Sequence, residues 1–250
     1  MKTGILITAR LKSTRLPRKV VKEISGKPML VHLIDRLKLA KLADVIVLCT
    51  STFADDDPLI ALAEKENIGS FRGHPDDVLL RLTQAAGYFN LDTVINCTAD
   101  NPFVDPEYID YLLTFHWENE YDFSKVEGLP FGTFSYALSY QAMVKACDIK
   151  DKVDTEVWGG YFTETGLFSW GIFTVRDQSV FWPSLRLTVD TPEDFQLVNE
   201  IFSELYEPDV VFSLAEIVNL CRKRPDLVSI NSEINQKIPE DISIKRNLDE

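Results

Sequence analysis

Cysteine, histidine and long apolar runs are scarce in this sequence of 250 residues, and each shortage closes off a class of function. The four cysteines, Cys49, Cys97, Cys147 and Cys221, stand far apart with no C-x-x-C pair. That argues against a disulfide-stapled scaffold and predicts reduced thiols. The histidines His32, His74 and His116 are isolated from one another and from every cysteine, which removes the usual zinc-ligand spacings. Apolar stretches such as 5–9 and 45–49 fall far short of the ~20 residues that cross a bilayer. Arg10 also interrupts the first of them before a signal-peptide core of ~7 to 15 residues can form. The expectation is a cytoplasmic protein without a membrane partner. No two glycines stand two apart, so G-x-G-x-x-G dinucleotide binding is excluded. Val21 and Pro28 occupy the positions where a P-loop ending at Gly26-Lys27 needs Gly and Ser or Thr, and neither G-x-S-x-G nor H-E-x-x-H occurs.

Charge is abundant and unevenly placed. The net charge of −13 repels nucleic acid and acidic membrane surfaces from the molecule as a whole. Yet residues 1–27 hold eight basic residues against the single acid Glu23, and seven of those cations lie between Arg10 and Lys27. Such a concentration in an acidic chain suits a small, highly charged anion. An apolar content of 45% with 26% charged residues describes an ordinary water-soluble protein, and no composition break divides residues 1–250 into separate domains.

Short apolar runs predict buried strands at 4–9, 44–49, 93–98 and 185–189. The 10–27 segment reads as loop, followed by a helix opened by Pro28 with an apolar stripe through Met29, Leu30, Leu33, Ile34, Leu37 and Ala40. Asp55-Asp56-Asp57 before Pro58, and Asp105-Pro106-Glu107, read as helix starts, and Phe71 to Asp77 as a turn-rich link to a helix near Pro75. Further helices are expected after Thr191-Pro192-Glu193-Asp194 and at 213–223, with a polar tail from about 231. Alternating strands and helices over the first ~120 residues imply βαβ units, hence an α/β fold with a mostly parallel central sheet and helices on both faces. The FGTFSYALS and LFSWGIFTV runs predict strands of a less regular, aromatic region.

In such sheets ligands bind outside the carboxyl ends of the strands. The first strand runs into Arg10-Leu11-Lys12-Ser13-Thr14-Arg15-Leu16-Pro17-Arg18-Lys19, the third into Asp100-Asn101-Pro102 and the last into Asp190. Arginine forks, a movable lysine and the Ser13 and Thr14 hydroxyls make a triphosphate cradle. One or two carboxylates completed by phosphate oxygens are the usual way of holding Mg²⁺. The pattern points to phosphoryl or nucleotidyl transfer. Asp55 and Asp57 also form a D-x-D, the metal motif of many glycosyltransferases, although their position favours a helix cap.

The segment ITARLKSTRLPRKVVKEISGKPMLVHLIDRL resembles the amino-terminal signature of bacterial cytidylyltransferases that make CMP-sugars. It is most similar to the SpsF-type spore-coat-polysaccharide branch, and similar to the CMP-ketodeoxyoctonate and acylneuraminate synthetases. FRGHPDDVLLR, NCTADNPFVDPEYID and RLTVDTPEDFQLV resemble later blocks of that family, in order. The resemblance implies a Rossmann-like nucleotide-diphospho-sugar transferase fold that takes CTP and an acidic sugar. It implies that Arg10, Arg15 and Lys19 grip the phosphates, with Ser13, Thr98 and Arg72 completing the nucleotide site, and that Asp100 and Asp190 hold Mg²⁺. Lys19, Arg10 and Asp100 would be catalytic. The acceptor would lie under 130–165, with Gly132, Thr133, Ser135, Glu156 and Tyr161 as candidates, and the aromatic region at about 120–175 would form a homodimer. Arg18 and Ala99 stand where the family commonly has glycine. A glycosyltransferase using Asp55 and Asp57, or a nucleotide-binding protein without turnover, are the alternatives.

Overall fold

The computed structural model describes residues 1–13, 15–153, 157–236 and 242–245. Strand β1, Thr3–Thr8, is an apolar β-branched run that sends Ile5 and Ile7 to one face of a sheet and Leu6 to the other. The basic segment follows, ending in a two-stranded hairpin of β2, Glu23–Ile24, and β3, Lys27–Pro28. Ser25 and Gly26 at its tip both have positive φ, the conformation of a type I′ turn. Helix α1, Met29–Leu37, then buries Met29, Leu30, Leu33, Ile34 and Leu37 in one stripe. Pro28 is its cap residue rather than its first helical residue, and Ala40 lies beyond its end.

Strand β4, Val45–Ser51, leads through a short 3₁₀ turn into α2, Asp57–Lys65, and then β5, Gly69–Gly73. Helix α3, Val78–Tyr88, is capped by Asp77, whose carboxylate accepts the Leu80 N–H at 3.0 Å. After β6, Thr93–Thr98, helix α4, Pro106–Glu118, is capped by Asp105. The second half adds β7, Phe123–Glu127, β8, Tyr136–Ser139, α5, Tyr140–Ile149, α6, Gly160–Thr163, and β9, Trp170–Thr174. Helices α7, Pro192–Leu205, α8, Leu214–Lys223, and α9, Pro225–Ser229, complete the described elements. Thr191 and Asp194 form a reciprocal capping box at the start of α7.

Seven strands form the main sheet in the order β5-β4-β1-β6-β8-β7-β9, with β8 alone running against the rest. Two apolar cores cover its faces, one built with α1, α2, α4, α7 and α8, the other with α3, α5 and α6. The carboxyl ends of β1, β4 and β6 therefore share one edge.

Three sequence expectations need correction. Residues 71–77 are not wholly a link: 69–73 is a half-buried edge strand bounded by two glycines, whose low apolar content hides it. Residues 185–189 are extended but not a strand, apart from a single bridge from Arg186 to Phe131. Their backbone is satisfied irregularly, with the Leu187 N–H donating to Phe131 O and the Val189 N–H to Asp100 O, each at 2.8 Å. The chain beyond 231 is not simply a solvated tail. Asn231 is buried against α7, Ile242 packs on the second core, and the Lys245 N–H reaches Ile149 O.

Candidate active site

The basic loop is tied to the sheet edge at its start and its end. At its start the Leu11 N–H donates to Asp56 Oδ1 at 2.7 Å, and the other oxygen of this buried carboxylate accepts from Ser51 Oγ. Asp56 is the residue before α2 but makes no side-chain cap, so the helix-cap reading of the Asp55-Asp56-Asp57 run gives way to a loop anchor. Asp57 pairs with Arg72, which also donates to the carbonyls of Ser51 and Phe53. Of the two D-x-D carboxylates, Asp57 is engaged by Arg72 and Asp55 is exposed.

At the loop's end, Arg18 takes the left-handed conformation, φ 54° and ψ 28°, just before the 3₁₀ turn that carries Lys19. This is the backbone shape that glycine adopts freely, so the replacement at Arg18 preserves the turn at a local steric cost. Ala99 is accommodated in the strand-end turn, where its N–H donates to Thr8 O at 2.9 Å.

Lys19 is the centre of the site. Its Nζ lies 2.8 Å from Asp100 Oδ2, 2.9 Å from Asp190 Oδ1 and 2.8 Å from Val189 O. Two carboxylates ninety positions apart are thus brought to one ammonium. Arg15 adds a second cation at 3.0 Å from Asp190 Oδ1. Burial works against the Lys19 charge, but Asp100 and then Asp190 outweigh it and hold the ammonium above its ordinary value. Burial likewise opposes ionisation of Asp190, and Lys19, Arg15 and Arg186 overcome it, so its carboxyl lies below the usual range. Among the described residues no cluster of three or more His, Cys, Asp or Glu encloses a metal unaided.

The other predicted residues are distributed around this centre. Arg10 donates from Nη1 to Pro75 O at 2.6 Å and pairs with Asp76 at 3.2 Å, joining the strand end to the FRGHPDD loop. In that loop the His74 Nδ1 accepts the Asp77 N–H at 3.0 Å, a turn-forming role. Ser13 and Thr98 are half-buried at the same edge, and the Thr98 hydroxyl accepts from Asn101 Nδ2 at 2.8 Å. Thr14 and Glu156 lie outside the described residues.

The acceptor candidates are placed differently from expectation. Thr133 is fully buried and its hydroxyl donates to Pro130 O, while Ser135 is also buried. Tyr161 is 2% exposed in the second core, its hydroxyl donating to Ser243 O. Thr133, Ser135 and Tyr161 are thus all buried behind the surface. Gly132 has φ +94°, and a Cβ there would come within 2.5 Å of the Thr188 nitrogen. Its role is to let the 185–190 segment approach closely, and so to set Asp190. A cavity of about 260 Å³ lined by His32, Arg36, Phe202, Tyr206 and Phe212 shares none of these residues.

Sequence reasoning missed Arg186, Asp194 and Asn231. Arg186 Nη2 lies 3.0 Å from Asp190 Oδ2, and Asn231 Nδ2 donates to Asp194 Oδ1 at 2.8 Å. The signal was present in RLTVDTPED, where Arg186, Asp190 and Asp194 recur at intervals of four. Arg81 was also missed. It is fully buried, donates to His74 O at 2.6 Å, and its Nε and Nη2 find no hydrogen-bond partner among the described residues.

A sequence model of the cytidylyltransferase family matches residues 4–234. The spore coat polysaccharide biosynthesis protein SpsF of Bacillus subtilis is 29% identical over 229 residues, covering 88% of this chain and 94% of its own. A 3-deoxy-manno-octulosonate cytidylyltransferase of Chloroherpeton thalassium is 34% identical over 124 residues, 48% of each chain. Among solved structures, a cytidylyltransferase from Leptospira borgpetersenii superposes with a TM-score of 0.84 at 25% identity, covering 96% of this chain and 100% of its own. A CMP:2-keto-3-deoxy-manno-octonic acid synthetase complexed with CTP shares the fold at a TM-score of 0.64 and 16% identity, covering 82% of this chain and 99% of its own.

Proposed function

This chain belongs to the cytidylyltransferase family, and from that premise we propose that it transfers CMP from CTP to a sugar acid of the ulosonic type, releasing pyrophosphate, in cell-surface polysaccharide biosynthesis. The observation that carries this reading is the convergence of Asp100 and Asp190 on Lys19, beside Arg15, at the carboxyl edge of the sheet. The relatives named for spore-coat polysaccharide and 3-deoxy-manno-octulosonate support the substrate class. No membrane partner is needed for this chemistry, and no described helix is long and apolar enough to cross a membrane. We place the reaction in the cytoplasm.

An acceptor hydroxyl oxygen bonds to the α-phosphorus of CTP as the bond to the β-phosphate oxygen breaks. The bonding pair leaves with pyrophosphate and the hydroxyl proton passes to solvent. Catalysis of this kind is mostly positioning and charge stabilisation. Arg15 and Lys19 turn from the carboxylates to the phosphate oxygens, and Arg10, braced on Pro75, orients the chain's approach to the nucleotide. Ser13 and Thr98 line the same edge.

The donor set fits a divalent metal, because the carboxylates of Asp100 and Asp190 already share one cation and hard oxygen ligands suit Mg²⁺. Mg²⁺ held by Asp100 and Asp190 would neutralise charge on the transferring phosphate. We also place a homodimer contact in the 120–175 region. Most of its rings, including Phe123, Tyr136, Trp158 and Phe162, pack in the second core, but Val157, Leu167 and Trp170 are exposed, and β9 is a free sheet edge. Light scattering at micromolar concentration tests this, and a mass of 28.5 kDa would refute it.

Pyrophosphate release measured with Mg²⁺, each of the four NTPs and a panel of ulosonic acids tests the activity. Release confined to CTP and one acidic sugar is the expected result. Transfer from a preformed nucleotide sugar, or CTP binding without release for any acceptor, would overturn it.

A further inference from the structure

The two oxygens of Asp190 have different surroundings. Oδ1 is turned to the basic loop, 2.9 Å from Lys19 Nζ and 3.0 Å from Arg15, whose side chain is 47% exposed. Oδ2 is held from the protein side by Arg186 Nη2 at 3.0 Å. Arg186 is 10% exposed, and its Nε and Nη2 fork onto the two oxygens of Asp194 at 2.9 and 3.0 Å. Asp194 is fully buried. Its carboxylate also accepts the N–H groups of Asp190 and Thr191, at 2.9 and 3.1 Å, and the Asn231 amide at 2.8 Å. Two of the three Arg186 nitrogens are thus tied to carboxylates at the start of α7, while Nη1 donates to the exposed Gln236 Oε1 at 2.6 Å.

We propose that Arg186 is the positioning residue of Asp190: it locks Oδ2, so that Oδ1 alone is presented to a divalent cation and the phosphates once Lys19 and Arg15 leave that oxygen for the nucleotide. The argument rests on the metal-holding role given to Asp190 above. Lys19 and Arg15 belong to a surface loop and have a second anion to move to. Arg186 has none, because its fork is occupied by Asp194 and Asp190 together, a geometry that planar guanidinium supports and a lysine ammonium cannot reproduce. Without that lock, the carboxylate would be free to rotate when the loop cations depart. Groups that orient a metal ligand commonly account for a 10- to 100-fold share of metal affinity.

Calorimetry of CTP binding without acceptor, in EDTA and again with Mn²⁺, gives the metal-dependent gain in affinity. Arg186→Met should lose roughly tenfold or more of that gain while keeping the metal-free CTP affinity, and Arg186→Lys an intermediate share. In Arg186→Lys the metal concentration for half-maximal turnover should rise, and excess Mn²⁺ should restore the rate, which a purely structural defect would not allow. Should Arg186→Met fail to fold with Asp194 left buried alone, Arg186→Lys decides the matter, since it retains a cation there. Arg186 variants that keep the full Mn²⁺-dependent gain, while Asp190→Asn loses it, would overturn the positioning role. If Asp190→Asn itself keeps the gain, the metal assignment fails first and the proposal with it.

Discussion

The first 118 residues and the stretch from 123 to 194 each deliver one carboxylate to the same lysine, by different means. Asp100 follows β6 directly, and its place is set by a strand, a tight turn and a helix whose own cap is Asp105. Asp190 follows no strand. Its segment is held by Phe131, by the close approach at Gly132, by the backbone bond from Val189 to Asp100 and by Arg186. The electrostatics differ in the same sense. Among the described residues Asp100 has one cationic partner, Lys19, and a side chain 26% exposed, whereas Asp190 is 11% exposed and faces three cations. A site can thus draw one group from regular local architecture and its counterpart from an irregular segment that combines long-range contacts with the nearby Arg186 and Asp194.

The largest test of this contrast is to remove each charge while keeping its shape. Asp100→Asn and Asp190→Asn should both reduce turnover by about a hundredfold or more, since each would withdraw an anionic ligand from the proposed hard cation. Melting temperatures should diverge, with Asp190→Asn the more perturbed because Lys19, Arg15 and Arg186 lose their common anion. Steady-state rates over a Mg²⁺ series, with thermal melts of both variants, check the pair, and equal melts would erase the contrast.

The seam between the two regions makes the next test. His116 of α4 is buried, with Nδ1 2.9 Å from Ser124 Oγ on β7, and burial pushes its imidazole down to about 4. Above pH 6.5 both folded and unfolded states are neutral there. Between about 6.5 and 4 only the unfolded chain takes up the proton, so stability should fall by about 1.4 kcal/mol per pH unit, roughly 3 kcal/mol in all. His32, also lowered by burial, works in the same direction. Asp190 and Asp194 lie below the ordinary carboxylate range, so their contribution is present above that range and is lost only as pH falls through their depressed values. Urea unfolding at pH 7 and 4.5 should show the loss and His116→Gln should flatten it. An unchanged slope in the variant would remove the assignment.

Gly132→Ala should cost roughly 1 to 3 kcal/mol, because a Cβ meets the Thr188 backbone at a positive φ. It should also raise the Mg²⁺ requirement, since it displaces the segment that carries Asp190. A denaturation midpoint and an Mg²⁺ titration measure both effects, and a loss of stability without a change in Mg²⁺ dependence would detach Gly132 from the site. The smallest effect concerns the loop: Arg18→Gly should stabilise by up to about 1 kcal/mol, by relieving a left-handed residue. Chemical denaturation resolves a change of that size, and a destabilised variant would show that the Arg18 side chain contributes more than the strain costs.

Much of this molecule is legible in one dimension because its causes are local. The runs read at 4–9, 44–49 and 93–98 are apolar and β-branched, and buried strands form there at Thr3–Thr8, Val45–Ser51 and Thr93–Thr98. Asp105-Pro106 and Thr191-Pro192 carry their caps beside them, and the crowding of cations at 10–27 marks the proposed anion site where a strand ends. The apolar runs before Asp100 and Asp190 set both at one edge, and the resemblance to cytidylyltransferases implied their metal role. What only the tertiary structure decided are features whose partners are distant in the chain: the edge strand 69–73, the turning of Asp56 from α2 to Leu11, the burial of Thr133 and Tyr161, and the Arg186–Asp194–Asn231 network behind Asp190. In each case the side chain's neighbours, not its sequence context, set its free energy. A carboxylate beside a helix start can cap that helix or anchor a loop forty-five residues away, and the choice is made by what the fold packs against it.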